Sequence, residues 1–138
     1  MKTTTLHQLW PLLGVRDLQR SLGFYRDRLG FRVADRDAGT DAALRWCRLE
    51  RDGVSLMLQQ DDAPGAAGER RGSRVVLYLV CDDVEPLQGE LRKRGLDVSP
   101  PSTAYYGMRQ LELRDPDGFV ICFESPTDDW RERQRPGS

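Results

Sequence analysis

The chain has 138 residues, a length that fits a single domain. Hydrophobic residues make up 38% of it and charged residues 31%, so the chain is polar yet apolar enough to fold. The 21 basic and 22 acidic residues leave a net charge of -1, without the basic excess typical of nucleic-acid-binding proteins. The sequence shows neither an apolar run of the roughly 18 residues that span a bilayer nor the apolar core of a signal peptide. We therefore expect a cytoplasmic protein that binds neither nucleic acid nor membranes.

The cysteines and the histidine restrict redox and metal chemistry. Cys47, Cys81 and Cys122 are odd in number and form no Cys-x-x-Cys pair, so a disulfide framework is not expected. Such thiols suit a reducing cytoplasm. His7 is the single histidine, so each chain can offer a metal ion at most one imidazole.

The first half of the sequence predicts a strand, a helix and three further strands. Asp17 is typical of a helix N-cap, apolar residues follow at helical spacing, and Gly30 stands where a helix-ending glycine belongs. Asp52-Gly53 is a strong hairpin turn signal. The predicted strands are 9–15, 31–33, 44–50 and 54–59, with a loop over 34–42, in a first module spanning about 6–60.

The second half repeats this order after a linker rich in Gly, Ala and Pro over 61–73. Asp83 is the candidate N-cap, Pro86 falls in the first helical turn, and Gly95 ends the helix. The predicted strands are 74–81, 96–98, 107–113 and 119–124, with a loop over 99–103 and a turn at 115–118, in a second module spanning about 74–125. The polar tail over 126–138 is expected to fray unless Trp130 anchors it.

A nearly constant offset relates the two halves. Asp17 precedes Asp83 by 66 positions, whereas Gly30 precedes Gly95 by 65, and the two hairpin turns also differ by 65. One residue fewer in the second helix explains the change. Two copies of a strand–helix–three-strand module therefore account for nearly the whole chain, and we expect them to form one α+β domain that encloses a cavity between the copies. A coincidence of common turn signals is the alternative.

The segments that carry these signals resemble the vicinal oxygen chelate superfamily. This superfamily contains glyoxalase I, extradiol dioxygenases, fosfomycin-resistance enzymes and bleomycin-resistance proteins. The similar segments are VRDLQRSLGFYRDRLGF at 15–31, DGVSLMLQ at 52–59 and YGMRQLELRDPDG at 106–118. The resemblance implies two βαβββ modules that form an incomplete barrel, and homodimers in which the partner chain often completes each cavity. It does not identify the activity.

The resemblance also implies four inward positions, two in each module, at which metal-binding members of the superfamily hold their ion. In this chain those positions are occupied by Trp10, Met57, Val76 and Cys122. Mg, Mn and Fe(II) prefer carboxylates and imidazoles, so the quartet does not suit them. His7 lies three residues before Trp10 and, on alternating strand geometry, points to the opposite face. We expect no metal and no cofactor; a soft ion held by Met57 and Cys122 is the alternative.

Without a metal, the same positions predict an apolar, aromatic pocket for a small molecule. Strand alternation adds Tyr78 beside Val76 and Glu124 beside Cys122. In bleomycin-resistance proteins an aromatic residue at the position of Tyr106 lines the drug groove. The candidate ligand-binding residues are Trp10, Trp46, Met57, Val76, Tyr78, Tyr106, Cys122 and Glu124. Ordinary core packing is the alternative for each aromatic residue.

The leading hypothesis is a metal-independent, homodimeric small-molecule binding protein of the bleomycin-resistance type, which sequesters an antibiotic or an aromatic metabolite. No catalytic residue is assigned. Three alternatives stay open: a glyoxalase-like or dioxygenase-like enzyme with an unplaced metal, a metal-free enzyme that uses Glu124 as a general base with Cys122, and a non-catalytic interaction domain. Proteins that sequester bleomycin tend to be acidic, whereas this chain is near neutral, so its ligand need not be bleomycin.

Overall fold

The computed structural model describes residues 2–63 and 75–137, and the chain divides into two compact units, Met1–Asp62 and Ala63–Ser138. Each unit contains one four-stranded mixed sheet with few helices, which confirms the predicted α+β class. Residues 64–74 lie outside the described ranges. They include most of the linker predicted over 61–73 and the first residue of the strand predicted over 74–81. None of the helices in the described part of the chain combines the length and the apolar character needed to cross a bilayer.

The sheet of the first unit has the order β1-β4-β3-β2, in which β1 and β4 are parallel and the other neighbours antiparallel. Its strands are β1 (Leu12–Val15), β2 (Arg32–Arg36), β3 (Trp46–Arg51) and β4 (Val54–Gln60). Helix α1 (Leu18–Leu22) and a π-helical turn (Gly23–Arg28) lead from β1 to β2, and a 3₁₀ turn (Asp41–Ala43) precedes β3. Positive φ angles of 51° at Asp52 and 81° at Gly53 close the predicted hairpin between β3 and β4.

The π-helical turn accommodates the extra residue in the first of the two helical segments. As predicted, Asp17 caps α1, since its side chain accepts the Arg20 N–H at 3.2 Å. Further along, the Leu29 N–H donates to the carbonyl of Phe24, five residues back, at 3.0 Å. A five-residue hydrogen bond of this kind inserts one residue into a helix without breaking it. Gly30 then ends the segment with φ of 79°.

The sheet of the second unit has the order β5-β8-β7-β6, with β5 and β8 parallel and the other neighbours antiparallel. Its strands are β5 (Val76–Val80), β6 (Ser102–Thr103), β7 (Met108–Arg114) and β8 (Val120–Pro126). Its helices are α2 (Leu87–Lys93) and α3 (Asp128–Arg133). The second unit therefore repeats the parallel pairing of first and last strands found in the first.

The predicted strand over 96–98 is wrong. The Leu96 N–H donates to the carbonyl of Leu91 at 3.0 Å, at the end of α2. This N–H is therefore not available for a hydrogen bond to a neighbouring strand. The edge strand is the two-residue β6 instead, and it lies within the predicted loop. It starts only after Pro100 and Pro101, which lack the N–H groups of a sheet ladder.

The predicted start of the second helix and the predicted disorder of the tail also need correction. Helix α2 begins at Leu87, after an irregular turn in which the side chain of Asp83 accepts the Glu85 N–H at 3.0 Å. In the tail, Thr127 caps α3 by accepting the Trp130 N–H at 3.1 Å. A capped helix therefore replaces the expected frayed tail.

Strand alternation gives the sheet of the first unit a buried face and a more exposed one. On β4, Leu56 and Leu58 are buried, whereas Met57 between them is only partly covered. The buried residues of this sheet and its helical segment are Leu13, Val15, Leu18, Ser21, Leu22, Phe24, Tyr25, Leu29, Cys47, Leu49, Leu56 and Leu58. The predicted site residues of this unit therefore fall on the face that the core does not use.

Candidate functional site

The first-sheet face consists of residues that alternate with the core positions of the first unit: Trp10, Leu12, Trp46, Arg48, Ser55, Met57 and Gln59. The register pairs Met57 with Leu12 on one side and with Arg48 on the other. Trp10 was predicted on the first strand but lies two residues before β1 begins. Its side chain is 44% exposed, so it is not a core residue and can contact a ligand.

Arg48 joins the aromatic and polar parts of the first-sheet face. Its guanidinium carbon lies 4.6 Å from the centre of the Trp10 ring, a cation–π geometry, and its Nη1 donates to the Ser55 hydroxyl at 3.1 Å. These contacts hold the Trp10 ring against the sheet. The sequence reasoning missed Arg48, although it lies two residues after Trp46 on the same strand and therefore on the same face.

A depression of about 360 Å³ adjoins the first-sheet face. It is lined by Leu12, Gly14, Arg45, Gln59, Gln60, Asp61 and Asp62. Arg45 and Asp62 form an ion pair at 2.5 Å across its rim, and the hydrogen bond from Arg45 lowers the pKa of the Asp62 carboxyl. The depression thus gives this face a polar end, in contrast to its aromatic part at Trp10.

The second-sheet face consists of side chains on β5, β7 and β8 together with the turn before β7: Val76, Tyr78, Val80, Tyr106, Gln110, Glu112, Arg114, Val120, Cys122 and Glu124. The register pairs Tyr78 with Cys122, and Glu124 with both Val80 and Gln110. Tyr78 is 53% exposed, whereas Glu124 is only 9% exposed. Exposed apolar and aromatic side chains therefore surround a nearly buried carboxylate.

Tyr106 and Gln110 hold that carboxylate in place. The Tyr106 hydroxyl donates to Oε2 of Glu124 at 3.0 Å, and Nε2 of Gln110 donates to the same oxygen at 2.9 Å. Gln110 also contacts the Tyr106 hydroxyl. The sequence reasoning missed Gln110, because its position opposite Glu124 depends on the register of the β7–β8 hairpin.

The Tyr106 phenol stays protonated in this arrangement. Burial, the hydrogen bond to Glu124 and the negative charge of that carboxylate raise the pKa of Tyr106 to about 12, with a smaller contribution from Tyr78. At neutral pH the hydroxyl is therefore a donor. Tyr105 meets the Tyr106 ring edge-on at 5.2 Å between centroids and widens the aromatic surface beside Glu124.

The surroundings of the two buried thiols, Cys47 and Cys122, disfavour the thiolate form. Burial raises the pKa of Cys122 to about 11, assisted by the negative charges of Glu124 and Glu112. Burial also raises the pKa of Cys47 to about 11. Since the thiolate is the reactive form, these surroundings disfavour the alternative in which Cys122 works as a nucleophile beside Glu124.

Alkylation of the folded protein by iodoacetamide at neutral pH should accordingly be slow at Cys47 and Cys122. A pKa near 11 leaves a thiolate fraction roughly 100-fold smaller than that of an ordinary thiol, and burial slows access further. Cys81 is only partly buried and provides an internal reference. Peptide mass spectrometry over a time course gives the three rates, and denaturation in urea should equalise them. Equal rates for Cys122 and Cys81 in the folded protein would contradict the assigned surroundings.

The residues at the four positions that the sequence resemblance implies for metal binding do not fit a hard metal ion. In the first unit these positions hold Trp10 and Met57, and in the second they hold Val76 and Cys122. Each pair offers one sulfur atom and neither a carboxylate nor an imidazole. Within residues 2–63 and 75–137, His, Cys, Asp and Glu side chains form no group of three or more that could hold a metal ion.

Two repeated units, each with a parallel first and last strand and a sheet face that carries aromatic and polar side chains, define a paired-module α+β protein. The family profile of the Glyoxalase/Bleomycin resistance protein/Dioxygenase superfamily matches residues 7–123. The chain belongs to this superfamily, as its motifs predicted. Among curated protein sequences, none matches the chain.

Solved structures with the same fold include proteins described as antibiotic binders. The bleomycin resistance determinant encoded on the transposon Tn5 has 25% identity and a TM-score of 0.70, over 88% of this chain and 98% of that chain. A bleomycin-binding protein complexed with bleomycin has 25% identity and a TM-score of 0.69, over 88% of this chain and 100% of that chain. The antibiotic-binding protein TnmS3 from Streptomyces sp. CB03234 has 28% identity and a TM-score of 0.68, over 91% of this chain and 100% of that chain.

Proposed function

We propose that this chain is a metal-independent small-molecule binding protein that sequesters an aromatic or amphipathic compound, such as an antibiotic or an aromatic metabolite. We also propose that it works in the cytoplasm as a homodimer. The observation that carries the proposal is the chemistry of the two sheet faces, where Trp10 and Tyr78 remain about half exposed next to residues unsuited to a hard metal. The similar bleomycin-binding and antibiotic-binding proteins support a binding function over an enzymatic one.

The physical basis of binding is burial of flat apolar surface against these side chains. Aromatic stacking adds about 0.5–1.5 kcal/mol per pair beyond the area that is buried. Arg48 already holds Trp10, and Glu124 already holds Tyr106. These side chains therefore lose little conformational freedom when a ligand contacts either ring. The polar groups beside each ring fix the orientation of the ligand.

Replacement of either ring should weaken ligand binding. A panel of aromatic antibiotics that includes bleomycin should contain at least one compound whose binding is detected by isothermal titration calorimetry. Trp10→Ala and Tyr106→Ala should each reduce its affinity by roughly 10-fold, the loss expected from about 1.4 kcal/mol of contact energy. Val54→Ala removes an exposed apolar side chain at the end of the β3–β4 hairpin and is the matched control. Unchanged affinity in both aromatic variants would refute the assigned site.

Metal content separates this proposal from the enzyme alternative. The purified protein is incubated with Zn, Ni, Mn and Fe(II), freed of excess metal and measured by elemental mass spectrometry. We expect a metal-to-chain ratio near zero. A ratio near one would overturn metal independence and favour a glyoxalase-like or dioxygenase-like enzyme.

A further inference from the structure

The carboxylate of Glu124 has hydrogen-bonding capacity that its neighbours leave unused. Its side chain is nearly buried, and both donors that reach it, Tyr106 and Gln110, bind the same oxygen, Oε2. Within the described ranges no side chain or backbone group donates to Oε1, and no Lys or Arg forms an ion pair with Glu124. A buried carboxylate without a countercharge is costly, which makes an incoming cation favourable there.

The free oxygen is also accessible. In the described part of the chain, Ser21 Oγ is the one fully enclosed side-chain polar atom that lacks a partner, so Oε1 of Glu124 keeps contact with solvent. Tyr106 and Gln110 fix the carboxylate from the side of Oε2. The oxygen that remains is therefore held in position and is not fully enclosed.

The titratable side chains nearest to Glu124 on the second-sheet face are negative or neutral: Tyr78, Tyr106, Cys122 and Glu112. Arg114 lies on the same face, but opposite Val120 at the turn end of the β7–β8 hairpin, where its Nη1 donates to the carbonyl of Gly118 at 3.4 Å. The arginine nearest in sequence on the neighbouring strand, Arg109, lies on the opposite face of β7 and pairs with Glu85 at 2.5 Å. Among the described residues, no basic side chain forms an ion pair with this carboxylate that a cationic ligand would have to replace.

We propose that the ligand carries a protonated nitrogen, an amine or an amidine next to an aromatic group, and that Oε1 of Glu124 accepts a hydrogen bond from it. This inference rests on the proposed small-molecule binding function and names its ligand class. Tyr106 and Gln110 position the carboxylate, and the exposed Tyr78 ring provides the adjacent aromatic surface. A charge-assisted hydrogen bond is roughly twice as strong as a neutral one.

A matched pair of probes tests the proposal. 2-Naphthylmethylamine is cationic at neutral pH, whereas 2-naphthalenemethanol has the same ring and a neutral donor. NMR titration of the full chain should show the amine binding roughly 10-fold more tightly than the alcohol. In Glu124→Gln the amine should lose about that factor while the alcohol changes little, because the amide keeps an acceptor oxygen but no charge. Glu124→Asp keeps the charge and should keep a preference for the amine.

Glu85→Gln is the matched control, since it removes a carboxylate that is exposed and lies on the other face. Thermal melting of each variant shows whether it folds. Equal affinity of the wild type for amine and alcohol, or an equal loss of both probes in a folded Glu124→Gln variant, would overturn the cationic ligand class and leave the binding function standing. Failure of the wild type to bind either probe would count against both proposals.

Discussion

Replacement of Asp115 by alanine should destabilise the second unit by about 3 kcal/mol. The Asp115 side chain is 5% exposed, and its Oδ1 accepts the N–H groups of Asp117 at 2.9 Å and Phe119 at 2.8 Å. Alanine leaves both donors buried without an acceptor, and each hydrogen bond to a charged group contributes about 1.5–3 kcal/mol. Urea denaturation followed by circular dichroism measures the loss.

Asp115→Asn is the matched control for this prediction. The amide keeps one oxygen for the same two donors and removes only the charge, so it should retain most of the stability that alanine loses. The chain has two compact units, which can unfold separately. The dependence of the unfolding free energy on urea concentration must therefore be the same in all variants before their free energies of unfolding are compared. A loss below about 1 kcal/mol in Asp115→Ala would show that the turn does not depend on this carboxylate.

The stability of the Asp115 variants tests the structural role of the Asp-Pro-Asp-Gly motif at 115–118. The Asp115 N–H donates to the carbonyl of Phe119 at 2.9 Å, so the motif closes the β7–β8 hairpin and sets where β8 begins. A slip of one residue in β8 would turn Cys122 and Glu124 to the other face of the sheet. The motif that identifies the superfamily thus acts here through register, which places the site residues.

Local signals predicted most of the fold. Asp17 as a helix cap, Gly30 as a helix end and the Asp52-Gly53 turn depend on the local backbone preferences of a few residues. The same signal at Asp83 did not mark the start of α2, because an irregular turn intervenes. The edge of the second sheet was not predictable in this way. Its position depends on how the end of α2 uses the N–H of Leu96, which donates to the carbonyl of Leu91 and which the residue pattern does not reveal.

The candidate site was predictable only as a set of positions on a face. Strand alternation placed Met57 with its neighbours, and the register agrees. Partners from other strands, such as Arg48 on Trp10 and Gln110 on Glu124, require the order and offset of the strands. The sequence also does not predict how exposed each side chain is. Tyr78 is 53% exposed and Tyr25 is fully buried, although both are tyrosines.

The C-terminal helix α3 supports the turn that carries Tyr106. The Thr127 hydroxyl donates to the carbonyl of Gly107 and accepts the Trp130 N–H. Gly107 has φ of 97°, and a Cβ atom there would lie 3.3 Å from Cβ of Trp130 and 3.3 Å from Oδ2 of Asp129. A glycine is therefore needed both for the backbone conformation and for the close approach of α3.

Thr127→Val should separate α3 from this turn and cost about 2 kcal/mol of stability. Valine has nearly the same shape but loses the helix cap and the hydrogen bond to Gly107 together. Thr127→Ser keeps the hydroxyl and should be within about 0.5 kcal/mol of the wild type. Urea denaturation measures both variants, and comparable stability of the valine and serine variants would contradict this role of the hydroxyl.

Titration of Tyr106 shows whether the effect reaches the site. Burial and the hydrogen bond to Glu124 raise its pKa to about 12 in the folded chain. The protonated phenol therefore stabilises the fold fully below the ordinary tyrosine pKa near 10, and this stabilisation is lost as the pH rises towards 12. If α3 holds the turn, Thr127→Val lets Tyr106 move away from Glu124 and its pKa falls towards 10. Ultraviolet titration of the four tyrosines, with Tyr106→Phe identifying the signal, follows this change directly. An unchanged Tyr106 pKa in a destabilised Thr127→Val variant would mean that α3 contributes stability without positioning Tyr106 against Glu124.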